Sequence, residues 1–408
     1  MLYHTLHRLW RCLPRDARRA AIFAVTSRLA PRPGRLEDIR PGPVAVAGQL
    51  STASGLGEGA RLGLQALREA GADVRAADLG PAFDQVDLPL PPDLPPPPAA
   101  GEGGVLIAHV NAPYLPFALH RLGKAAVAGR RVIGYWAWEL PRLPPDWRHG
   151  FPFVHEVWVP SRFTAAAVAA ETRLPVRVVP HPLPVPAAPV YGRAHFGLPD
   201  DAFVVVSFFH MGSSFTRKNP VAAIRAFRTA FGDDPRRILV VKVNEGTLDP
   251  AAWDRLRTAV GGAGNIRVID RKMERAEVDS LLDAADTVVS LHRAEGFGLV
   301  PAEAMARGKP VVATGWSGNL DFMTPDNSLL IGYRLVPAAD PQHTYDFPDQ
   351  QWADADVDEA AVALRRLAED HGLCHILGAR AAADIRRSLS GAVFAAAFKE
   401  SEIIPFSS

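Results

Sequence analysis

The sequence predicts an α/β fold of two doubly wound domains that face a central cleft. Three observations lead to this prediction. Short apolar strands alternate with amphipathic helices from residue 44 onwards, a proline-rich segment at residues 180–189 interrupts the pattern, and the alternation then restarts. Near-continuous apolar strands that alternate with helices are typical of parallel sheets covered on both faces. A chain of 408 residues is long enough for two or three domains.

We expect the first domain at residues 41–185. Its predicted strands are Val44–Gly48, Val74–Leu79, Val105–Val110, Arg131–Trp136, Glu156–Pro160 and Val176–Val179. Its predicted helices cover about Gly59–Glu69 and a segment from Phe163. The run Pro89–Pro98 is predicted to be a surface loop, because proline disrupts helices and central strands. The prolines at 180–189 then form a stiff linker, in which His181 is expected to pack at the hinge.

We expect the second domain at residues 186–388. Its predicted strands are Val204–Phe208, Ile238–Val243, Ile266–Ile269, Thr287–Leu291 and Val311–Thr314. Its predicted helices are Pro220–Phe231, Ala251–Val260, Arg275–Ala284 and Pro301–Arg307. The alanine-rich tail from about Asp356 is also predicted to be helical. Because ligands of such sheets bind at the carboxyl ends of the strands, the cleft between the domains is the expected site.

Composition excludes several classes of protein. Apolar residues make up 48% and charged residues 22% of the chain, which is typical of globular domains and not of a disordered chain. A formal net charge of +1 gives no overall field for binding nucleic acid. The only cysteines, Cys12 and Cys374, exclude a disulfide scaffold and fit a reducing cytoplasm. No apolar run approaches the ~20 residues of a membrane span.

Residues 1–40 form a basic segment that we expect to be helical. Nine arginines and three acids give it a charge of +6 and leave −5 for the rest of the chain. Leucines recur with helical spacing from Leu2 to Leu13. Two interpretations stay open. Residues 1–35 lie on an anionic membrane surface, which would place the protein on the inner face of the plasma membrane, or the helix packs on the first domain with its arginines in solvent.

The most informative motif is SLHRAEGFGLVPAEAMARGKPVVAT at residues 290–314. A predicted strand ends near His292, and Glu295 to Gly298 form a tight loop before a helix. Glycines before a helix start expose backbone N–H groups, which together with the helix dipole suit a phosphate. Glu295 in the loop and Glu303 in the first turn can reach the same cleft. A carboxylate can accept hydrogen bonds from two vicinal hydroxyls, so Glu303 suits a ribose.

This E-x7-E motif, in the setting EGFGLxxAEAMxxGKPVVAT, resembles the signature of the family 4 retaining glycosyltransferases, which have the GT-B fold of two Rossmann-like domains. SSFTRKNPVAAIRAF (213–227) resembles the family's phosphate-binding turn, and WSGNLDFMTPDNSLLI (316–331) resembles the segment after the signature helix. GYWAWELPRLPPDW (134–147) and EVWVPSRFTAAAV (156–168) resemble a bacterial branch that acts in surface polysaccharide synthesis. The resemblance runs from about residue 44 to 335.

The resemblance implies a role for each matching residue. Glu303 is expected to bind the nucleotide ribose, and Glu295 to contact the donor sugar near the reacting carbon. Lys218 and Arg217 are expected to neutralise the diphosphate leaving group. The other expected donor-binding residues are Gly296, Phe297, Gly298, Leu299, Gly55, Gly57, Ser213 and Asp270. His210 stands where relatives often have an acid, and the last helix, within residues 389–408, is expected to return to the first domain.

The acceptor side is predicted at GYWAWELP, which follows a strand. Aromatic faces of Trp136 and Trp138 can bind the C–H surface of a sugar, although either tryptophan could instead fill the core. The carboxylate of Glu139 can orient or deprotonate an acceptor hydroxyl. His109, at the end of another predicted strand, is a candidate catalytic histidine, with core packing as the alternative.

Two further patterns allow other interpretations. Gly55 and Gly57 fit G-x-G-x-x-A with Asp78 about 20 residues on, as in dinucleotide-binding turns. Because residues 49–54 separate this pattern from its strand, we favour a loop that closes over donor and acceptor, as the resemblance implies. Asp354 and Asp356 match the D-x-D of cation-binding glycosyltransferases of another fold, but they follow no strand, so we expect no metal and no other cofactor.

The expected function is transfer of a sugar from a UDP- or GDP-type nucleotide sugar to a hydroxyl of a saccharide or lipid-linked acceptor, with retention, in cell-surface polysaccharide synthesis. Domain closure is expected to exclude water. Three alternatives stay open: a nucleotide-sugar epimerase or hydrolase of the same fold, an NAD-dependent oxidoreductase that uses the 55–60 loop, and a non-catalytic sugar-binding protein.

Overall fold

The computed structural model describes residues 15–400, with side chains from residue 20. Each domain is built on a six-stranded parallel sheet, and apolar side chains pack on both faces of each sheet. The predicted α/β class and doubly wound arrangement are therefore confirmed.

The first sheet contains strands β1 (Val44–Gly48), β2 (Val74–Asp78), β3 (Gly104–His109), β4 (Arg130–Tyr135), β5 (Glu156–Val159) and β6 (Val176–Val178). Their spatial order is β2-β1-β3-β4-β5-β6. The helices of this domain are α1 (Arg15–Leu29), α2 (Gly55–Glu69), α3 (Leu115–Leu122) and α4 (Arg162–Ala169). Every residue of β1 and β3 is buried, which explains why these strands are continuous apolar runs in the sequence.

The second sheet contains strands β7 (Phe203–His210), β8 (Arg237–Asn244), β9 (Ile266–Asp270), β10 (Thr287–Ser290), β11 (Val311–Thr314) and β12 (Leu329–Ile331). Their order is β12-β11-β10-β7-β8-β9. The accompanying helices are α5 (Phe215–Lys218), α6 (Pro220–Phe231), α7 (Pro250–Val260), α8 (Arg275–Ala284), α9 (Leu299–Ala306), α10 (Val357–Glu369) and α11 (His371–Ser388). Both sheets are parallel and six-stranded, although their strand orders differ, and residues that follow strands of both sheets line the cleft.

A β-hairpin after β12 was not predicted. Strands β13 (Tyr333–Pro337) and β14 (Gln351–Ala355) pair antiparallel, and residues 338–350 join them. β13 is mostly exposed, so it lacks the apolar pattern that marks the other strands. The hairpin belongs to the second domain by sequence, but Tyr345 and Trp352 are buried in the apolar core of the first domain. The hairpin therefore bridges the two domains.

Helix α2 begins at Gly55, before the predicted start at Gly59. The hydroxyl of Ser54 caps it by accepting a hydrogen bond from the backbone N–H of Gly57 at 3.1 Å. The segment before the helix folds back so closely that a Cβ on Gly57 would lie 2.5 Å from the carbonyl oxygen of Gln49. The glycine pattern therefore serves a compact turn at the start of the helix.

The linker contains neither helix nor strand, and it brings His181 to the junction of the domains. The buried His181 ring lies edge-on to Phe297 of the second domain, with ring centres 5.1 Å apart. Its Nδ1 lies 3.2 Å from the hydroxyl of Tyr135 in the first domain. His181 thus packs between the two domains. The predicted loop Pro89–Pro98 likewise has no helix or strand.

Helix α1 packs on α3 of the first domain. The buried Phe23 ring lies edge-on to Tyr114 at a distance of 6.1 Å between ring centres. This contact favours the interpretation that the helix packs on the domain, for the residues that are described. The leucines from Leu2 to Leu13 lie outside the described residues. Within residues 15–400, no helix has the length and apolar character needed to cross a membrane.

The last described helix, α12 (Gly391–Glu400), packs on α2 of the first domain. Phe394 and Phe398 are buried and lie edge-on to Trp158 of β5, with ring centres 6.3 and 6.0 Å apart. The chain therefore crosses back from the second domain to the first at its C-terminal end.

We expect Phe394→Ala to destabilise the protein by about 3–5 kcal/mol, because the substitution leaves a cavity beneath Trp158. Urea denaturation measures this change. Val393→Ala on the same helix is the control, because Val393 is 37% exposed, and its effect should stay within about 0.5 kcal/mol. Equal effects of the two substitutions would show that α12 is not anchored by its aromatic face.

Candidate active site

The candidate site is a cleft of about 530 Å³ between the two domains. Ten of the predicted site residues line it: Glu295, Gly296, Phe297, Gly298, Leu299, Gly55, Ser213, Arg217, Lys218 and Glu139. Four predicted residues are not part of its lining: Glu303, Gly57, Asp270 and His109. The structure thus brings most of the predicted donor side together with Glu139.

A buried ion triad forms the centre of the second domain's half of the cleft. Lys218 Nζ lies 2.5 Å from Glu295 Oε1, and Arg217 lies 3.3 Å from Glu295 Oε2. Arg217 also donates a hydrogen bond to the carbonyl oxygen of Ala294 at 2.8 Å and another to Ser213. Its side chain is 4% exposed, whereas that of Lys218 is 22% exposed. Lys218 is therefore the more accessible of the two cations to a ligand in the cleft.

The two cations decide the charge of Glu295. Burial by itself would raise the pKa of this carboxyl, but Lys218 and Arg217 lower it to about 2. Burial lowers the pKa of Lys218, although Glu295 opposes that shift. Glu295 is thus ionised at neutral pH, and the triad carries one net positive charge.

The loop that carries Glu295 is fixed from both domains. Ser317 accepts a hydrogen bond from the backbone N–H of Glu295 at 2.8 Å, within the second domain. Ser161 of the first domain donates a hydrogen bond to the carbonyl oxygen of Gly296 at 2.6 Å. Gly298 has a φ of 98°, which glycine adopts without steric cost, and α9 begins at the next residue. These contacts hold the turn and its N–H groups at the floor of the cleft.

Glu303 pairs with Arg275, a residue that the sequence analysis did not assign to the site. Arg275 donates to Glu303 Oε1 at 2.6 Å and lies 3.4 Å from Glu58 of the first domain. Burial raises the pKa of the Glu303 carboxyl, and Arg275 opposes this shift. A signal was available in the sequence, because Arg275 is the first residue of a predicted helix that follows a strand of the same sheet.

The glycine turn at residues 55–60 does not have the features of a dinucleotide site. Asp78, which would bind a ribose in that interpretation, accepts hydrogen bonds from the backbone N–H groups of Ser51 and Gly80 at 3.1 and 3.0 Å. Its carboxylate is therefore part of the local loop structure. Gly55 lines the cleft, whereas Gly57 is packed against the preceding loop.

Glu139 lies on the first domain's side of the cleft. Its Oε2 accepts a hydrogen bond from the hydroxyl of Tyr345 at 3.0 Å. Burial raises the pKa of Glu139, and the nearby Arg217 opposes this shift. Trp138 lines the cleft beside it, whereas Trp136 is fully buried in the core. Of the two predicted tryptophans, only Trp138 is placed to contact a ligand.

The prediction of a catalytic role for His109 is not supported. The side chain is 1% exposed and stacks on Tyr135, with ring centres 4.3 Å apart. Burial lowers the pKa of His109 to about 3, so the ring is neutral. The inward position at the end of β3, beneath Gly63 of α2, keeps His109 out of the cleft.

Asp270 does not line the cleft and instead holds a neighbouring loop. Its Oδ1 accepts a hydrogen bond from the backbone N–H of Gly246 at 3.0 Å and so fixes the loop after β8. His210 does line the cleft, and its Nδ1 accepts a hydrogen bond from Gly212 at 3.0 Å.

The two aspartates of the D-x-D pattern are also engaged within the fold. Asp354 pairs with Arg293 at 2.8 Å, and Asp356 caps α10 by accepting from two backbone N–H groups. Within the part of the chain that the structure describes, no group of three or more His, Cys, Asp or Glu residues is arranged to hold a metal ion.

Comparisons with known proteins can now be set beside this geometry. Residues 198–389 match the family described as "Family 4 Glycosyltransferase in conflict systems". Most of the second domain is therefore similar to family 4 glycosyltransferases. A stretch of 133 residues is also 35% identical to D-inositol 3-phosphate glycosyltransferase 1 of Catenulispora acidiphila. That match spans 31% of this chain and only 31% of the curated protein.

Solved structures resemble the chain over a greater length. HepE of Anabaena, solved with UDP and glucose, is 15% identical with a TM-score of 0.63, over 88% of this chain and 99% of HepE. Sucrose-phosphate synthase of Thermosynechococcus elongatus is 16% identical with a TM-score of 0.63, over 88% of this chain and 98% of the synthase. Identities this low indicate a shared fold, and they confirm the predicted GT-B architecture.

We expect Gly57→Ala to destabilise the protein by about 1–3 kcal/mol, because its Cβ would overlap the carbonyl oxygens of Gln49 and Thr52. Thermal or urea denaturation measures the change. Gly55→Ala is the matched control, since a Cβ there meets no atom within 4 Å. If Gly55→Ala proved the more damaging of the two, the turn would require its first glycine, as the dinucleotide interpretation assumes.

We expect Glu295 to make stability depend on acid pH. Because its folded-state pKa is about 2 and lies below its ordinary value, ionised Glu295 stabilises the protein above about pH 4.5, and this contribution is lost as the pH falls towards 2. Urea denaturation at several pH values should therefore show that the stability difference between the wild type and Glu295→Gln shrinks over this range. Glu37→Gln, at an exposed carboxylate, should parallel the wild type. A difference independent of pH would contradict the ion triad.

Proposed function

We propose that the chain transfers a sugar from a UDP-type nucleotide sugar to a hydroxyl of a saccharide or lipid-linked acceptor, with retention at the anomeric carbon. The observation that carries the proposal is the buried pair of Lys218 and Glu295 beside the turn Gly296–Leu299, at the floor of an interdomain cleft. A UDP donor is favoured over GDP because HepE and TarM of Staphylococcus aureus were both solved with UDP.

The leaving diphosphate is the group that this half of the cleft suits best. Lys218 supplies a cation at its edge, and the N–H groups of the turn supply hydrogen-bond donors. Arg217 holds Glu295 and the neighbouring carbonyl groups, so its contribution to the phosphate is the positive field and not a direct contact.

Retention is proposed to proceed without a covalent intermediate on Glu295. A carboxylate paired with two cations is a poor nucleophile, so a covalent glycosyl intermediate on Glu295 is disfavoured. The acceptor hydroxyl then attacks from the face that the diphosphate leaves, and the leaving phosphate oxygen takes the hydroxyl proton. Glu295 orients the donor sugar during this exchange.

The nucleotide ribose is assigned to Glu303. Arg275 donates a hydrogen bond to Oε1 of this carboxylate and so fixes the orientation of the side chain. We assign Oε2 to the ribose hydroxyls. Because Arg275 also faces Glu58, a bound nucleotide would be enclosed by both domains.

No metal or other cofactor is required in this proposal, because Lys218 and the turn supply the positive potential that a divalent cation supplies in other sites. The biological setting is assigned to the cytoplasm or the inner membrane face, in synthesis of surface polysaccharide. The family description names conflict systems, and a role there is the second candidate setting. Both settings use the same transfer chemistry.

The first test is binding of UDP in the presence of EDTA, measured by thermal stability and calorimetry. A ligand at ~100 times its dissociation constant stabilises the native state by about 2.7 kcal/mol, so wild type should melt at a higher temperature. Lys218→Met should weaken UDP binding at least tenfold, since it removes the accessible cation. Lys124→Met, at an exposed lysine of the first domain, is the control and should bind as the wild type does.

The second test is the stereochemistry of the product. With UDP-glucose as donor, NMR of the freshly formed glucoside should show the α-anomer, as in the donor. A β-anomer would overturn retention while leaving the transferase proposal intact. An absence of any UDP effect on stability, with a clear effect of GDP or NAD, would overturn the donor assignment itself.

A further inference from the structure

The loop at residues 338–350, between β13 and β14, reaches from the second domain into the acceptor half of the cleft. Its base is joined to the first domain by Gln350, which donates a hydrogen bond to the carbonyl oxygen of Arg142 at 2.7 Å. His343, Thr344 and Tyr345 line the cleft. No sequence motif pointed to this loop, although it faces Glu139 directly.

The loop is equally well fixed to the turn that carries Arg217 and Lys218. Asp340 is 2% exposed and accepts a hydrogen bond from the Ser214 hydroxyl at 2.8 Å. Gln342 accepts one from the backbone N–H of Phe215 at 2.8 Å. Asp340 also accepts from the backbone N–H of Tyr345 at 3.2 Å. The position of Tyr345 is therefore set by the phosphate-binding turn, and not by the surface of a free loop.

Tyr345 contacts both halves of the site with one side chain. Its hydroxyl donates to Glu139 Oε2 at 3.0 Å, and the Arg217 guanidinium lies 5.2 Å from its ring centre. The ring packs beside Trp138 with centres 5.4 Å apart and is 5% exposed. The charged groups that act on Glu139 in this arrangement are Arg217, Lys218 and Glu295. Tyr345 is thus the neutral group that links the acceptor-side acid to the donor-side cations.

We propose that Tyr345 is a positioning residue that holds Glu139 so that its other carboxylate oxygen, Oε1, accepts a hydrogen bond from the attacking hydroxyl of a saccharide acceptor. This inference rests on the proposed function. Tyr114, Trp138, Trp147 and Phe347 also line the cleft, and Tyr114, which is 48% exposed, offers an aromatic face to a pyranose ring. The pair therefore favours a sugar hydroxyl, held by ring contacts, over water.

The transfer step that this arrangement serves is balanced without a further reactant. The bond from the anomeric carbon to the diphosphate oxygen breaks, and a bond from that carbon to the acceptor oxygen forms. The acceptor proton passes to the departing phosphate oxygen. Glu139 and Tyr345 orient the hydroxyl and end the step in the protonation states in which they began it.

The pH profile separates this role from a purely structural one. Glu139 accepts from the acceptor hydroxyl only when it is ionised, so activity falls as the pH falls through its raised pKa. The hydrogen bond from Tyr345 lowers the pKa of Glu139 against the effect of burial. Its removal should therefore move the acidic limb of the activity profile to higher pH.

The experiment uses the full chain, UDP-glucose and a panel of methyl and octyl glycosides, with UDP release measured with and without glycoside. Tyr345→Phe should lower kcat/KM for the glycoside roughly 10- to 100-fold, the usual effect of losing a hydrogen bond to a charged group. The affinity of this variant for UDP, measured by calorimetry, should stay within about twofold of wild type. The ratio of UDP-glucose hydrolysis to sugar transfer should rise. Tyr333→Phe is the control, because Tyr333 lies on the exposed strand of the same hairpin.

A double-mutant cycle decides whether Tyr345 acts through Glu139. In a Glu139→Gln background, Tyr345→Phe should cause little further loss. With an active wild type, three results would each overturn the inference. The losses from the two substitutions could be additive, Tyr345→Phe could leave kcat/KM for the glycoside unchanged, or it could leave the acidic limb of the pH profile in place. Hydrolysis of UDP-glucose as the only wild-type reaction would overturn it as well. Wild type that binds no UDP and releases none from UDP-glucose would instead overturn the proposed function on which the inference rests.

Discussion

The interaction on which the site depends is the burial of the Glu295 carboxylate against Lys218 and Arg217. A lone carboxylate at this depth would be neutralised by protonation, and two lone cations would repel each other. Together they leave one net positive charge at the carboxyl ends of the second sheet, with Lys218 still accessible from the cleft. The pairing joins the loop after β10 to the short helix α5. The same charge is what a diphosphate in the cleft would meet.

The second constraint is the way in which the domains are held together. Among the described residues, ion pairs join the two domains, including Lys272 with Asp87 at 2.5 Å and Arg275 with Glu58 at 3.4 Å. Both lysine and arginine side chains are nearly half exposed, and such pairs contribute little to stability. Tyr345 and Trp352, from the β13–β14 hairpin and its loop, are buried in the first domain's core, and this apolar contact is the stronger connection. Any motion of one domain relative to the other would therefore carry the hairpin with it or open around it.

Prediction from sequence worked where short-range patterns decide the outcome. Apolar runs located every strand of the first sheet and every strand of the second except the short edge strand β12, and β1 and β3 are buried on both faces. Glu295, Gly298 and Lys218 were correctly expected to line one cleft, because they stand in contiguous motifs with recognisable turn chemistry. The prediction for His109 failed because its strand position does not reveal which way the ring points. The role of Arg275 was missed because its partner, Glu303, lies on another helix.

What the sequence by itself determined is the repeated α/β architecture, the division into two domains and the loop that carries Glu295, since periodicity and glycine placement act over a few residues. Only the tertiary structure decided which side chains from distant parts of the chain contact one another in the site. Tyr345 and Glu139 are far apart in the chain, and their hydrogen bond exists because a mostly exposed hairpin folds across the domain boundary. Long-range pairing of this kind depends on how whole domains pack, and no local pattern in either segment encodes the other.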